Sequence, residues 1–249
     1  MKTLAIIPAR YASTRFPGKP LIDLVGKSMI RRVYERASMG ADHVLVATDD
    51  ERIIEEVKSF NGNVIMTASH HTTGTNRCLE AYEKYSRESG ETAEIVINVQ
   101  GDEPMLNPAS LRTLIHPFNN PECEMSTLVR PVTNTETLSN PNNVFVTLDQ
   151  NGRALYFSRH PIPYVRGAEM EEWLNKADFY QHIGLYAFRP QALRSFASMA
   201  MGDLERAESL EQLRWLEGGR NIFCGIVNET SVSVDTPEDA DVVRALLES

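Results

Sequence analysis

The feature that most constrains the fold of this chain is an alternation of short apolar runs with segments of helical spacing across residues 3–99. Leu4 to Ile7 reads as a buried strand, and Met29, Ile30, Val33, Tyr34 and Ala37 then recur at helical spacing until Gly40 closes the segment. "HVLVA" (43–47) reads as a strand, "TDDERIIEEVKSF" (48–60) as a helix with acids in its first turn and Ile53, Ile54 and Val57 inward, and "NVIM" (63–66) as a strand. A helix with Cys78, Leu79 and Tyr82 on one face precedes the strand "EIVINV" (94–99). Repeated units of this kind predict an α/β fold: a mainly parallel sheet, helices on both faces and right-handed crossovers. Ligands of such sheets bind outside the carboxyl ends of the strands.

After about Pro121 the pattern changes. "NVFVTLDQNGRALYFS" (143–158) reads as two β runs around the tight-turn dipeptide Asn151-Gly152. "QHIGLYAFR" (181–189) and "NIFCGIV" (221–227) read as strands, and "AESLEQLRWLEGG" (207–219) as a helix ended by glycines. The final helix begins at "DTPEDADVVRALLES", with Thr236 as cap, Pro237 in the first turn and Asp239 three residues after the cap. The second half therefore reads as an antiparallel insertion that returns to the first-half sheet. Without a linker, repeat or low-complexity segment, residues 1–249 read as one domain.

The stretch "IIPARYASTRFPGKPL" (6–21) lies at the end of the first strand and is out of keeping with the whole. The chain carries a net charge of -9, yet Met1 to Ile22 contains Lys2, Arg10, Arg15 and Lys19 and no acid. An acidic chain is a poor nucleic-acid surface, because that affinity needs many phosphate contacts spread over a face. A local basic loop points instead to a small anion, or else to a solvated charged loop. With 249 residues, 42% hydrophobic and 24% charged, the chain has the make-up of a globular protein with a sizeable core. No apolar run approaches the ~20 residues that cross a bilayer, and the run after Lys2 is too short for a secretory signal, so a soluble cytoplasmic protein is expected. Cys78, Cys123 and Cys224 are too widely spaced for a zinc knuckle and odd in number, and read as buried free thiols.

Gly26-Lys27-Ser28 is no P-loop, because Leu21 stands where the pattern requires its first glycine. Only Gly18 lies in the first strand-to-helix turn, so a dinucleotide fingerprint is absent too. What remains is a strand end followed by backbone amides and three cations, enough to hold a triphosphate. Transfer from a nucleotide also needs a divalent metal, and hard magnesium takes carboxylate oxygens. Asp102, after "IVINV", and Asp235, after "SVSV", supply two at strand ends. Each alone also reads as an ordinary turn or helix-flanking residue.

The motifs "IIPARYASTRFPGKPL", "VATDDERI", "TGTNR", "NVQGDEP", "YFSRHPIPY", "HIGLYAF", "ESLEQLRWLEGG" and "VDTPEDAD" resemble, in this order and from Ala5 to about Val242, the 3-deoxy-manno-octulosonate (Kdo) cytidylyltransferases. The first motif is shared by other sugar nucleotidyltransferases, whereas "YFSR", "HIGLY" and "ESLEQLR" single out the Kdo branch. The resemblance implies a nucleotidyltransferase-type sheet, a homodimer, CTP and Kdo as substrates, and the products CMP-Kdo, for lipopolysaccharide, and pyrophosphate. It also implies a sugar-binding and dimerisation sub-region at about 125–220. By the same resemblance Arg10, Arg15 and Lys19 face the triphosphate, Arg77 assists in the nucleotide pocket, and Asp102 and Asp235 hold Mg2+. Gln100, Arg159, Arg166, His182, Tyr186, Glu211 and Gln212 map onto the sugar site. This chain departs from the family at Thr73 and Asn76, within "HHTTGTNR", and at His160. The residues by themselves leave open a synthetase for another acid sugar, a metal-dependent sugar-phosphate hydrolase, or a non-catalytic nucleotide-sensing subunit.

Overall fold

The computed structural model describes residues 1–12, 16–228 and 232–248. In chain order the elements are β1 (Thr3–Ala9), α1 (Met29–Ser38), β2 (His43–Thr48), α2 (Glu51–Ser59), β3 (Val64–Met66), α3 (Gly74–Ser89), β4 (Ile95–Asn98) and α4 (Pro108–Ile115). There follow β5 (Met125–Pro131), α5 (Thr135–Ser139), β6 (Phe145–Leu148), β7 (Ala154–Ser158), β8 (Tyr180–Phe188), α6 (Pro190–Ser198), α7 (Asp203–Glu208), α8 (Leu213–Glu217), β9 (Phe223–Ile226) and α9 (Pro237–Glu248). The chain forms two compact units, one of Met1–Arg112, Phe188–Ala197 and Thr230–Ser249, the other of Thr113–Ala187 and Ser198–Glu229.

The first unit carries the expected parallel sheet, in the order β3-β2-β1-β4. Successive residues Leu4, Ala5, Ile6 and Ile7 are all buried. Successive strand side chains point to opposite faces, so both faces of β1 are covered. The helices begin where the sequence places caps: Ser28 accepts from the Arg31 amide, Asp50 from Arg52 and Thr73 from Asn76. Ahead of α9, Asp239 accepts from the amides of Asp235 and Thr236 while the Thr236 hydroxyl accepts from the Asp239 amide, a reciprocal cap. An apolar cluster of Leu24, Met29, Val234, Ala240 and Val243 joins the loop after β1 to α9.

The second unit mixes directions. β9 runs parallel to β5, and β6 pairs antiparallel with β7 and β8. Here two sequence expectations are corrected. Asn151-Gly152 is not a two-residue turn: the connection spans residues 149–153, and of the pair Gly152 takes the positive φ (75°). Asp149 organises it, its Oδ1 accepting from the amides of Asn151 and Arg153 and its Oδ2 from the Arg153 side chain. Nor is 207–219 one helix. Ser209 adopts φ 53° and closes α7, and α8 starts only at Leu213. At this break the Arg159 guanidinium donates to the carbonyls of Glu208 (2.7 Å) and Ser209 (3.3 Å), two of the acceptors that the end of α7 leaves open. A buried ion pair, Arg214 with Glu205 (2.5 and 2.6 Å), then ties α8 back to α7. Cys78 and Cys123 are buried, Cys224 is half-buried, and all three are unoxidised thiols.

Candidate active site

A cleft of about 240 Å³ opens at the carboxyl ends of the first unit's strands, lined by Arg10, Lys19, Thr73, Gly74, Arg77, Gln100, Gly101, Asp102 and Asp235 among others. Backbone geometry builds it. Gly18, at φ 74°, turns the chain into the short 3₁₀ segment Lys19–Leu21. A Cβ on Gly101 would stand 2.9 Å from the Pro8 carbonyl oxygen, so only glycine lets the loop after β4 pass so close to the end of β1. Thr73 and Gly74 bring the start of the 16-residue helix α3 to the cleft, where the positive end of the helix dipole favours an anion.

Lys19 draws the far ends of the sequence together. Its Nζ donates to Asp102 Oδ2 at 2.9 Å and to the Val234 carbonyl at 2.7 Å, and it lies 3.4 Å from Asp235 Oδ1. The Val234 amide donates in turn to the Asp102 carbonyl at 2.9 Å. With its own side chain in the cluster beside α9, Val234 is fixed on every side, and Asp235 follows it to the cleft. Thr236 and Asp239 cap α9, which leaves the Asp235 carboxylate turned toward Lys19. Two carboxylates from separate segments thus converge on one cation. This is an oxygen donor set of the kind magnesium takes, incomplete by itself, and among the described residues no cluster of three or more metal-ligating side chains exists. Substrate oxygens or water would complete the coordination.

Arg10 is exposed at the cleft, and Arg15 lies outside the described residues. Arg77 reaches the cleft wall but is almost wholly buried, its guanidinium donating to Thr67 Oγ1 (2.6 Å) and Asp49 Oδ2 (2.9 Å). The sequence reading puts Asp49 in the helical stretch 48–60, whereas in the structure it precedes α2, which begins at Glu51, and pairs with Arg77. Asn98, buried at the end of β4, holds its Oδ1 without a hydrogen-bond partner, and its Nδ2 lies 3.7 Å from where a Cβ on Gly74 would be.

Of the sugar-site candidates, Gln100 belongs to this cleft and the other six belong to the second unit. There His182 and Tyr186 share a face of β8, their ring centres 5.5 Å apart. The His182 Nε2 lies 2.9 Å from the Thr127 hydroxyl, and Phe157 meets the imidazole edge-on. Burial pushes the His182 pKa down to about 3, so the ring is neutral. Burial, with the Glu211 carboxylate adding to it, raises the Tyr186 phenol far above its ordinary value. Glu211 and Gln212 stand in the turn between α7 and α8 rather than on a helix face. Gln212 is 3% exposed with its Nε2 unpartnered. Arg159 is exposed and bound to the Glu208–Ser209 turn, and Arg166 is exposed on the loop after it. The structure thus brings His182 and Tyr186 together, while Arg166 stands exposed on the loop between β7 and β8.

Comparison with known proteins completes the description. Residues 4–222 match the family model described as cytidylyltransferase. The chain is 49% identical to the 3-deoxy-manno-octulosonate cytidylyltransferase of Parabacteroides distasonis, over 99% of this chain and 98% of that protein. It is 47% identical to the protein of the same name from Porphyromonas gingivalis, over 100% and 97%. A solved CMP:2-keto-3-deoxy-manno-octonic acid synthetase complexed with CTP is 41% identical and superposes with a TM-score of 0.90, covering 100% of this chain and 99% of that one.

Proposed function

The chain belongs to the 3-deoxy-manno-octulosonate cytidylyltransferase family, and from that membership we propose how its own residues carry out the family reaction. The enzyme transfers CMP from CTP to Kdo, releasing pyrophosphate and giving the CMP-Kdo used for lipopolysaccharide. The observation that carries the assignment of residues is the convergence of Asp102 and Asp235 on Lys19 within the cleft.

The anomeric hydroxyl of Kdo attacks the α-phosphorus of CTP in line, the new oxygen–phosphorus bond forming as the bond to pyrophosphate breaks. Negative charge grows on the phosphoryl and leaving oxygens. Lys19 and Arg10, with Arg15 of the same basic loop, neutralise that charge, and the amides at the start of α3 add an aligned dipole. Arg77, fixed by Asp49 and Thr67, forms a rigid positive wall rather than a mobile clamp. Asp102 and Asp235 would hold magnesium, which would supply charge neutralisation and orientation of the phosphates. No covalent intermediate on the protein is required.

The second unit selects the sugar. Gln212 supports this reading, since a buried amide without a partner costs free energy unless a ligand pairs with it. His182, Tyr186 and Glu211 contribute neutral and charged polar groups nearby, and Gln100, Arg159 and Arg166 complete the assignment. We take residues 1–249 as one nucleotidyltransferase domain whose sub-region at about 125–220 serves sugar binding and dimerisation. The enzyme works as a cytoplasmic homodimer; exposed Leu155 and Tyr164 are apolar side chains that an interface would cover, and among the described residues no helix is long and apolar enough to cross a membrane.

The assignment is tested by equilibrium binding of CTP with magnesium. Wild-type protein should bind magnesium-dependently, and D102N and D235N should each lose that dependence. Unchanged magnesium dependence in both variants would remove the two aspartates from the metal site.

A further inference from the structure

The hydrogen-bond count around Thr127 determines the state of a neighbouring histidine. Thr127 lies on β5, fully buried, and its Oγ1 has three partners: the Leu185 carbonyl at 2.8 Å, the Ile183 carbonyl at 3.2 Å and the His182 Nε2 at 2.9 Å. A hydroxyl has one proton and two lone pairs. A carbonyl oxygen 2.8 Å from a hydroxyl oxygen is tolerable only with the proton between them, since two lone pairs at that distance repel. The carbonyls of β8 therefore take the proton, and toward His182 the hydroxyl is an acceptor. Nε2 must then carry the hydrogen. In the neutral imidazole the other nitrogen, Nδ1, is left bare, and it has no partner among the described residues.

We propose that Thr127 is a positioning residue that locks His182 in the Nε2–H tautomer and so makes Nδ1 an acceptor for a hydroxyl of the sugar. The inference rests on the reading of His182 as a sugar contact. It deepens that reading by giving the contact a direction: the bare nitrogen accepts from a hydroxyl and rejects a carboxylate, which brings only lone pairs. Burial keeps the ring neutral, with a pKa of about 3, so Nδ1 stays an acceptor across the physiological range. Phe157 and Tyr186 flank the ring and restrict its rotation. The ring cannot flip to exchange its two nitrogens without losing the Thr127 bond.

The test uses the full-length protein with 15N-labelled histidine. The chain has six histidines, and H182Q identifies the signal of this one. In ligand-free wild type and T127S, Nδ1 should resonate far downfield as an unprotonated imine-type nitrogen, and Nε2 as a protonated one. T127V has the shape of threonine without the acceptor and should give a mixture of tautomers. Its KM for Kdo should rise about tenfold, the scale of one lost hydrogen bond of fixed direction, with kcat and the KM for CTP near wild type and with T127S restoring the Kdo value. Normal CTP kinetics show that T127V is folded. An Nδ1–H signal in wild type, or a T127V enzyme matching wild type in both spectrum and Kdo saturation, would overturn the proposal. A separate outcome is the expected spectrum with a normal Kdo KM in H182A. That result removes His182 from the sugar site, and with it the functional half of the proposal, while the tautomer assignment stands.

Discussion

The Lys19 ammonium stands 2.9 Å from Oδ2 of Asp102, a contact between residues 83 positions apart that ties the basic loop to a candidate metal ligand. The same ammonium bonds the Val234 carbonyl, so one side chain joins three segments at the cleft. Charge neutralisation and cleft architecture are therefore carried by the same atoms.

Because Asp102 and Asp235 are the carboxylates assigned to the metal, D102N or D235N should each lower turnover at least roughly 10²-fold, the scale of removing one transition-state stabiliser. Asparagine keeps the shape, so circular dichroism should match wild type. Near-normal turnover in either variant contradicts the assignment.

Lysine 19 has two roles, and K19A should reveal both. CTP binding should weaken by about 1.5–3 kcal/mol, the range for charge-assisted hydrogen bonds. The side chain of Lys19 is 14% exposed and its removal frees the Val234 carbonyl and Asp102, so thermal unfolding should also move down by a few degrees. Calorimetry of unfolding and of CTP binding on the same variant reads the two effects separately.

Gln212 should show a trade of stability for binding. Its buried Nε2 lacks a partner in the free protein, so Q212M, apolar and of similar length, should raise the unfolding free energy by up to about 1 kcal/mol while raising the KM for Kdo ~10-fold or more. H182A should share the KM effect without the gain in stability. A Q212M enzyme with normal Kdo saturation contradicts the sugar assignment.

A further prediction concerns acid stability ahead of α3. Burial acts to raise the Glu80 pKa, but hydrogen bonds from Lys84, the Ala68 amide and His71 outweigh it and hold the carboxyl at about 2, below its ordinary 4.5. A depressed carboxylate stabilises the fold fully above its unfolded pKa and loses that contribution as pH falls through the folded one. E80Q should therefore melt below wild type at pH 7, and the two curves should converge between about pH 4.5 and 2. A gap that stays constant over that window shows that Glu80 acts through packing alone.

Much of the first unit was legible because its signals are local. Short continuous apolar runs followed by apolar residues at 3.6 spacing mark β1, β2 and their helices, and the Thr236–Asp239 cap lies within one turn. The break at Ser209 was not legible, because the Arg159 contacts that accompany it come from 50 residues away. β5 was missed for a different reason: Ser126 and Thr127 interrupt its apolar run, yet both are fully buried with their hydroxyls bonded to carbonyls. Separation in sequence, 28 and 55 residues, likewise hid the partners Asp49 of Arg77 and Thr127 of His182. The candidate metal carboxylates were visible as acids after apolar runs, but residues 232–235 form no strand, contrary to the sequence expectation for Asp235, and the common contact with Lys19 is a property of the fold.

The central claim, that Asp102, Asp235 and the basic loop hold magnesium and CTP for transfer to Kdo, is tested most directly by pyrophosphate release from CTP with magnesium and Kdo each present or withheld. Release should require both, should stop on chelation of the metal, and should match CMP-Kdo formed mole for mole. Release at full rate in the presence of chelator, or hydrolysis of CTP without Kdo, would contradict it.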